Sequence, residues 1–367
     1  MTNIGYLRDL RLQDTQRVIA PKSSRRQQII LVGLAVMVGL IVVTGFVLMR
    51  RNDSRLTNTI RLKGAINLAT VRSDGELLAS VNQRDKASGR HSIEFWRTND
   101  GVKVAMTAPY SIYSLIFSPD GSYLVASGND GVRIFRASDG QLVRAMPGDQ
   151  VFCVAVSNDG HLLADANAQG LIRVRRFNEE TILRTFNVGK PITSLVFGTE
   201  SDVLIAGSAS SIGLMPPNEL SPEENPIFVF PIGSSLPQYS IRGHKYGVLA
   251  LAFSPDGKKL ASGGSDGDLR LWDFGERRII LSAHVKASWF QTMRRIEPAI
   301  NHISFDSSGG MLAAAVSTGD ILTLNVTTNV TRYLRGHTES VLYTQFSGEN
   351  LLSVGEDNTV RRWTLGQ

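Results

Sequence analysis

A short phrase that recurs seven times constrains this chain more than anything else in it. It reads VRSDGELLAS from Val71, FSPDGSYLVAS from Phe117, VSNDGHLLAD from Val156, FGTESDVLIAG from Phe197, FSPDGKKLASG from Phe253, FDSSGGMLAAA from Phe305 and FSGENLLSVG from Phe346. Marked at Asp74, Asp120, Asp159, Glu200, Asp256, Ser308 and Glu349, the copies lie 46, 39, 41, 56, 52 and 41 residues apart. Periods of this size belong to architectures in which one unit cannot bury its own apolar face and stacks on its neighbours. Within a copy, the alternating run at 248–253 leads into Ser254-Pro255-Asp256-Gly257, then a second apolar run, a second turn (Gly264-Ser265-Asp266-Gly267) and a third alternating run ending at Trp272. Proline presets the turn, aspartate bonds the local backbone, glycine takes a positive φ, and the period of two marks strands. Each copy is therefore an antiparallel meander, and the fold class is all-β.

These residues resemble the WD-repeat family over about 310 residues, from 57 to 367. The fifth copy carries Gly243-His244, Ser262, Asp266 and Trp272-Asp273, and the seventh repeats Gly336-His337, Ser353, Asp357 and Trp363. Both place Asp four residues after Ser, Trp six after Asp, and His nine before Phe253 or Phe346. The resemblance implies a seven-bladed β-propeller in which His244, Ser262, Asp266 and Trp272, and again His337, Ser353, Asp357 and Trp363, form structural hydrogen-bonded tetrads. The other copies depart from the pattern. The second has Ala126, Asp130 and Phe135 at the Ser, Asp and Trp positions, the third Asp165, Gln169 and Arg175, and the sixth Ala314, Thr318 and Leu324. Five blades are accordingly expected to rely on packing alone. The seventh copy stops after its third strand, and residues 57–63 resemble 331–336, so they are expected to supply the outer strand and close the ring.

Ahead of the repeats, residues 29–49 hold 21 residues without a charge, fourteen of them Ile, Leu, Val or Phe. As a helix they span about 31 Å, which matches a hydrocarbon core of roughly 30 Å. Arg25 and Arg26 flank one end, and Arg50 and Arg51 the other. A cleaved signal peptide needs a shorter apolar run and small residues at its end. Here the run finishes in Phe46-Val47-Leu48-Met49. The expectation is one uncleaved transmembrane α-helix at 29–49, with a basic tail at 1–28, a linker at 50–56 and the propeller at 57–367. Lys and Arg within 15 residues number four before the span and five after, so the local count does not orient it. The whole tail, with six basic residues, favours a cytoplasmic N-terminus and an extracytoplasmic propeller.

The net charge of +6 belongs to this segment: residues 1–55 carry nine Lys and Arg against three Asp, and the remainder balances at 30 each. The large domain therefore has no basic footprint for nucleic acid. The lone Cys153 excludes an internal disulfide, and the six histidines form no metal-ligand spacing. The Ser/Asp/Gly clusters, Gly263-Gly264-Ser265-Asp266-Gly267 among them, are turns recurring at repeat spacing, and no phosphate-binding loop or GxGxxG motif is present. No catalytic residue, metal or cofactor is expected.

Two segments stand out as candidates for binding a protein partner. Twelve residues are added between His284 and Phe305, relative to the fifth and seventh copies, and they contain Trp289, Phe290, Met293, Arg294 and Arg295. Aromatics, Met and Arg are the residues that dominate interface cores. The second segment, 216–240, holds six of the thirteen prolines and the apolar pair Phe228 and Phe230, and is expected to project as an irregular arm. Together these features point to a membrane-tethered, non-enzymatic platform for other proteins. The alternative is an extracytoplasmic propeller that senses a small ligand in its channel, which convergent charged or aromatic channel side chains would favour.

Overall fold

In a computed structural model, which describes residues 56–82, 91–107, 111–177, 179–210, 224–234, 237, 239–286 and 298–365, each copy of the phrase builds one four-stranded antiparallel sheet. With the strands of a blade lettered a to d from the axis outward, the a–b turn explains why. In blade five, Ser254 Oγ donates to Asp256 Oδ1 (2.6 Å), which also accepts from the Lys258 backbone N–H (3.1 Å). Gly257, at φ +68°, closes the turn by donating its N–H to the Ser254 carbonyl. The strands on either side, Val248–Phe253 and Lys259–Gly264, then meet in register, with Leu251 opposite Ser262 and Phe253 opposite Leu260.

Alternation along each strand turns seven separate sheets into one ring. In the second strand of blade five, Leu260 packs in the cluster shared with blade four, and its neighbour Ala261 in the cluster shared with blade six. Blade two repeats this, with Leu124 facing blade one and Val125 facing blade three. Among the described residues there are seven such clusters, one between every pair of adjacent blades. Each fully buried Leu, Ile or Phe in them stabilises the ring by about 1.5–3 kcal/mol.

Closure uses both ends of the described chain. Leu56–Arg61 pairs antiparallel with Thr359–Thr364, the third strand of blade seven, so that Ile60 lies opposite Val360 and Arg61 opposite Thr359. The Leu62 N–H then donates to the Asn358 carbonyl at 2.8 Å.

The expected arm at 216–240 is corrected in its second half. Glu224–Pro231 is the third strand of blade four, and Tyr239–Lys245 is its outer strand. Two prolines are tolerated because of where they fall: Pro226 adjoins a register shift at Asn225, and Pro231 is the last residue of the strand. The residues at 211–223 lie outside the described ones. So do the expected membrane span at 29–49, the tail at 1–28 and the linker up to residue 55. Among the described residues, no helix is long and apolar enough to cross a membrane.

Candidate functional site

Two chains of hydrogen bonds run through blades five and seven. In blade five, the Trp272 indole N–H donates to Ser262 Oγ (2.9 Å), Ser262 contacts His244 Nε2 (2.8 Å), and His244 Nδ1 contacts Asp266 Oδ1 (2.9 Å). In blade seven, Trp363 meets Ser353 at 2.8 Å, Ser353 meets His337 Nε2 at 2.8 Å, and His337 Nδ1 meets Asp357 at 2.9 Å. One assignment satisfies every atom: indole N–H to serine oxygen, serine O–H to Nε2, and Nδ1–H to carboxylate. Burial favours a neutral His337 and pushes its pKa down against the pull of Asp357. For Asp357, burial alone acts upward, but the bonds from His337 and Thr359 outweigh it and hold the carboxyl below the usual range. Asp266 is lowered for the same reasons, with His244 and the backbone N–H groups of Asp268 and Lys245 as donors.

Two blades that were expected to rely on packing alone hold polar locks of their own. Blade one keeps half a tetrad, with the Trp96 indole donating to Ser80 Oγ at 2.9 Å. In blade three, Asp165 is fully buried and stands where Ser262 stands in blade five. It accepts from Arg173 Nε at 2.7 Å and from Arg175 Nη2 at 2.5 Å, and Arg175 occupies the tryptophan position. An ion pair thus replaces the neutral hydrogen-bonded chain. The signal was in the sequence, as opposite charges at the Ser and Trp positions, with Arg173 directly opposite Asp165 in the pairing.

Phe230 is a correction among the partner candidates. It is fully buried, pairs with Leu204 as Trp272 pairs with Leu260, and packs its ring 4.4 Å from that of Phe186. It is the tryptophan equivalent of blade four and has no face to offer a partner. Phe228 is half-buried, 6.1 Å from Phe230 and packed on the same cluster, so it too serves the blade.

Trp289, Phe290, Met293, Arg294 and Arg295 lie outside the described residues, but the roots of their loop are well defined. Val285 is buried and donates its N–H to the Gly267 carbonyl (2.9 Å), and the Ala299 N–H donates to Ser317 Oγ (2.9 Å). The loop thus leaves from the end of the ring that carries the b–c turns, Asp266 and Asp357 among them.

The inner strands line the ring's axis: Ile66–Val71, Ser114–Phe117, Cys153–Val156, Ile192–Phe197, Val248–Phe253, Ile300–Phe305 and Val341–Ser347. None contains Asp, Glu, Lys or Arg. Their phenylalanines, Phe117, Phe197, Phe253, Phe305 and Phe346, pack in or against the interblade clusters, and the ring of His302 in blade six lies 3.9 Å from that of Tyr343 in blade seven. Burial pushes the His302 pKa down to about 4, and its Nδ1 has no hydrogen-bond partner among the described residues. The Cys153 thiol is buried and its pKa pushed up by desolvation, which leaves it unreactive. Among the described residues, no three His, Cys, Asp or Glu side chains converge on a point that would hold a metal ion.

The WD domain, G-beta repeat family matches residues 103–135 and 235–273. Each match starts at or just before the outer strand of one blade and runs through three strands of the next, which is the same offset that lets Leu56–Arg61 complete blade seven. Residues 103–135 and 235–273 are WD40 repeats, carried on a seven-bladed β-propeller. Among curated relatives, it is 30% identical over 113 residues to the intraflagellar transport protein 122 homolog of Xenopus tropicalis, covering 30% of this chain and 9% of that one. It is 22% identical over 210 residues to U3 small nucleolar RNA-associated protein 21 of Saccharomyces cerevisiae, covering 56% and 20%. It is 24% identical over 327 residues to WD repeat-containing protein 90 of Mus musculus, covering 82% and 16%. The chain thus spans a fifth or less of the length of these relatives.

Proposed function

We propose that this WD40 propeller is a non-enzymatic platform for protein partners, tethered to a membrane by residues 29–49. The observation that carries the platform reading is the charge-free lining of its axis. A site for an ionic substrate or a catalytic acid–base pair needs convergent titratable groups, and the seven inner strands offer none beyond the neutral His302, Tyr343 and the inert Cys153. The titratable clusters that do exist, in blades three, five and seven, are consumed by structural bonds. The same lining argues against the channel-ligand alternative.

The tether is supported by the length and flanking arginines of the apolar run. The six basic residues of the tail favour a cytoplasmic N-terminus and an extracytoplasmic propeller. A partner surface on the loop between blades five and six is supported by its content of Trp289, Phe290, Met293, Arg294 and Arg295.

The test is purification of the tagged full chain from its own membranes in mild detergent, beside the Trp289→Ala/Arg294→Ala variant. Partners should co-purify with the parent chain and be depleted from the variant at unchanged melting temperature. Equal recovery from both would remove the loop from the interface. Release of the chain from membranes by alkaline carbonate would remove the tether.

A further inference from the structure

The third and outer strands of blade six are joined by an exposed turn, 325–331, that reads Asn-Val-Thr-Thr-Asn-Val-Thr. It holds two Asn-x-Thr triplets, starting at Asn325 and Asn329. Asn-x-Ser/Thr is the acceptor motif for N-linked glycans. The chain has one other triplet of this kind, at Asn52, three residues past the apolar run.

The two asparagines of the turn are not equivalent. Asn325 ends the third strand, and its Oδ1 accepts from the N–H groups of Thr327 (3.1 Å) and Thr328 (2.8 Å), which holds the turn together. Its neighbour Val326 is packed against the cluster between blades five and six. Asn329 is exposed at the tip, at φ +58°, and among the described residues its carboxamide makes no hydrogen bond. Val330 is 48% exposed, and Thr331 is exposed as well. The left-handed backbone accounts for an asparagine at 329, since Gly101 and Gly140 take positive φ in the same turn of blades one and two. It does not require threonine two residues later.

We propose that Asn329 is an N-glycosylation site. The proposal rests on the extracytoplasmic placement of the propeller. The co-reactant is a lipid-pyrophosphate-linked oligosaccharide. Asn329 Nδ2 attacks the anomeric carbon, the new C–N bond replaces the sugar C–O bond, and the lipid pyrophosphate leaves with the amide proton. No electrons are exchanged.

The structure also shows what the glycan covers. Thr328 and Val330, on either side of Asn329, line a groove of about 580 Å³ whose walls include Met311, Arg332, Phe346 and Leu365. In blades one to six a c–d turn connects third to outer strand at this end of the ring. In blade seven those two strands come from distant parts of the chain, so among the described residues no such turn joins them. A glycan on Asn329 stands at the rim of the groove and shields the exposed Val330.

The test is translation of the full chain into endoplasmic-reticulum microsomes, read by gel mobility with and without peptide-N-glycosidase, alongside protease protection. The expected result is one glycosidase-sensitive shift, lost in Asn329→Gln and in Thr331→Val and kept in Asn325→Gln. A shift kept in Asn329→Gln and lost in Asn325→Gln overturns the assignment. A protease-protected propeller with no shift overturns the glycosylation and leaves the orientation standing. A propeller digested from outside overturns the orientation, and the proposal with it.

Discussion

Asp165 shows how one residue type decides what a blade can tolerate. Its carboxylate lies fully buried between two guanidinium groups, so removing it strands two cations in a low-dielectric site. Asp165→Ala should cost about 3–5 kcal/mol of stability by urea denaturation. Asp357→Ala, which cuts a network around a neutral histidine, should cost about 1–3 kcal/mol. Equal costs would mean that blade three's ion pair is no more demanding than the tetrad. His302 supplies a pH signature. Its pKa falls from 6.5 in the unfolded chain to about 4 in the fold, so the unfolded state binds the extra proton between those values. Its contribution is fully present above pH 6.5 and fades as pH drops towards 4, by up to about 3 kcal/mol. His337, also lowered, acts in the same direction. His302→Phe keeps the stacking on Tyr343 and should flatten the stability profile between pH 6.5 and 4. A profile identical to the parent's would assign the slope to other groups.

At the scale of strands and loops, the sequence was most readable where one chemical rule acted alone. Period-two alternation and Pro-Asp-Gly turns locate the inner strands because nothing competes with them in that stretch. The spacing of His, Ser, Asp and Trp could be read in blades five and seven for the same reason. Blade four was harder, since prolines at 226 and 231 argue against a strand unless a register shift and a strand end happen to receive them, which only the three-dimensional pairing reveals. Blade three was hidden because its lock uses different residue types at the same positions. The loop between blades five and six carries the matching functional prediction: Trp289→Ala with Arg294→Ala should weaken partner capture at least tenfold, with a melting temperature within a degree or two of the parent's, roughly the effect of losing one interface hot spot. A large stability loss without a change in capture would return the loop to architecture.

For the whole ring, seven interblade clusters of similar make-up mean that stability is shared, and the weakest joint sets the outcome. The closure, where the two ends of the described chain meet, is the joint that tests this. Leu62, 4% exposed, anchors the cluster between blades seven and one just beyond the closing strand. Leu62→Asp should destabilise the protein by more than about 3 kcal/mol and raise hydrogen exchange first in Thr359–Thr364. Uniform loss of protection around the ring would instead mark it as one cooperative unit.

The closing strand also has a history in time. Leu56–Arg61 is made before any blade, yet its partner, Thr359–Thr364, emerges some 300 residues later, as the Thr57 bond to the Arg362 carbonyl across 305 positions records. At about 5–20 residues per second on a ribosome, the strand waits unpaired while the blades form behind it. Its sequence suits the wait: Thr57, Asn58, Thr59 and Arg61 give a nascent chain little that is sticky, and only Leu56 and Ile60 are apolar. The ring's first strand to be synthesised is thus the last one paired, and the ring remains open until translation has delivered the seventh blade.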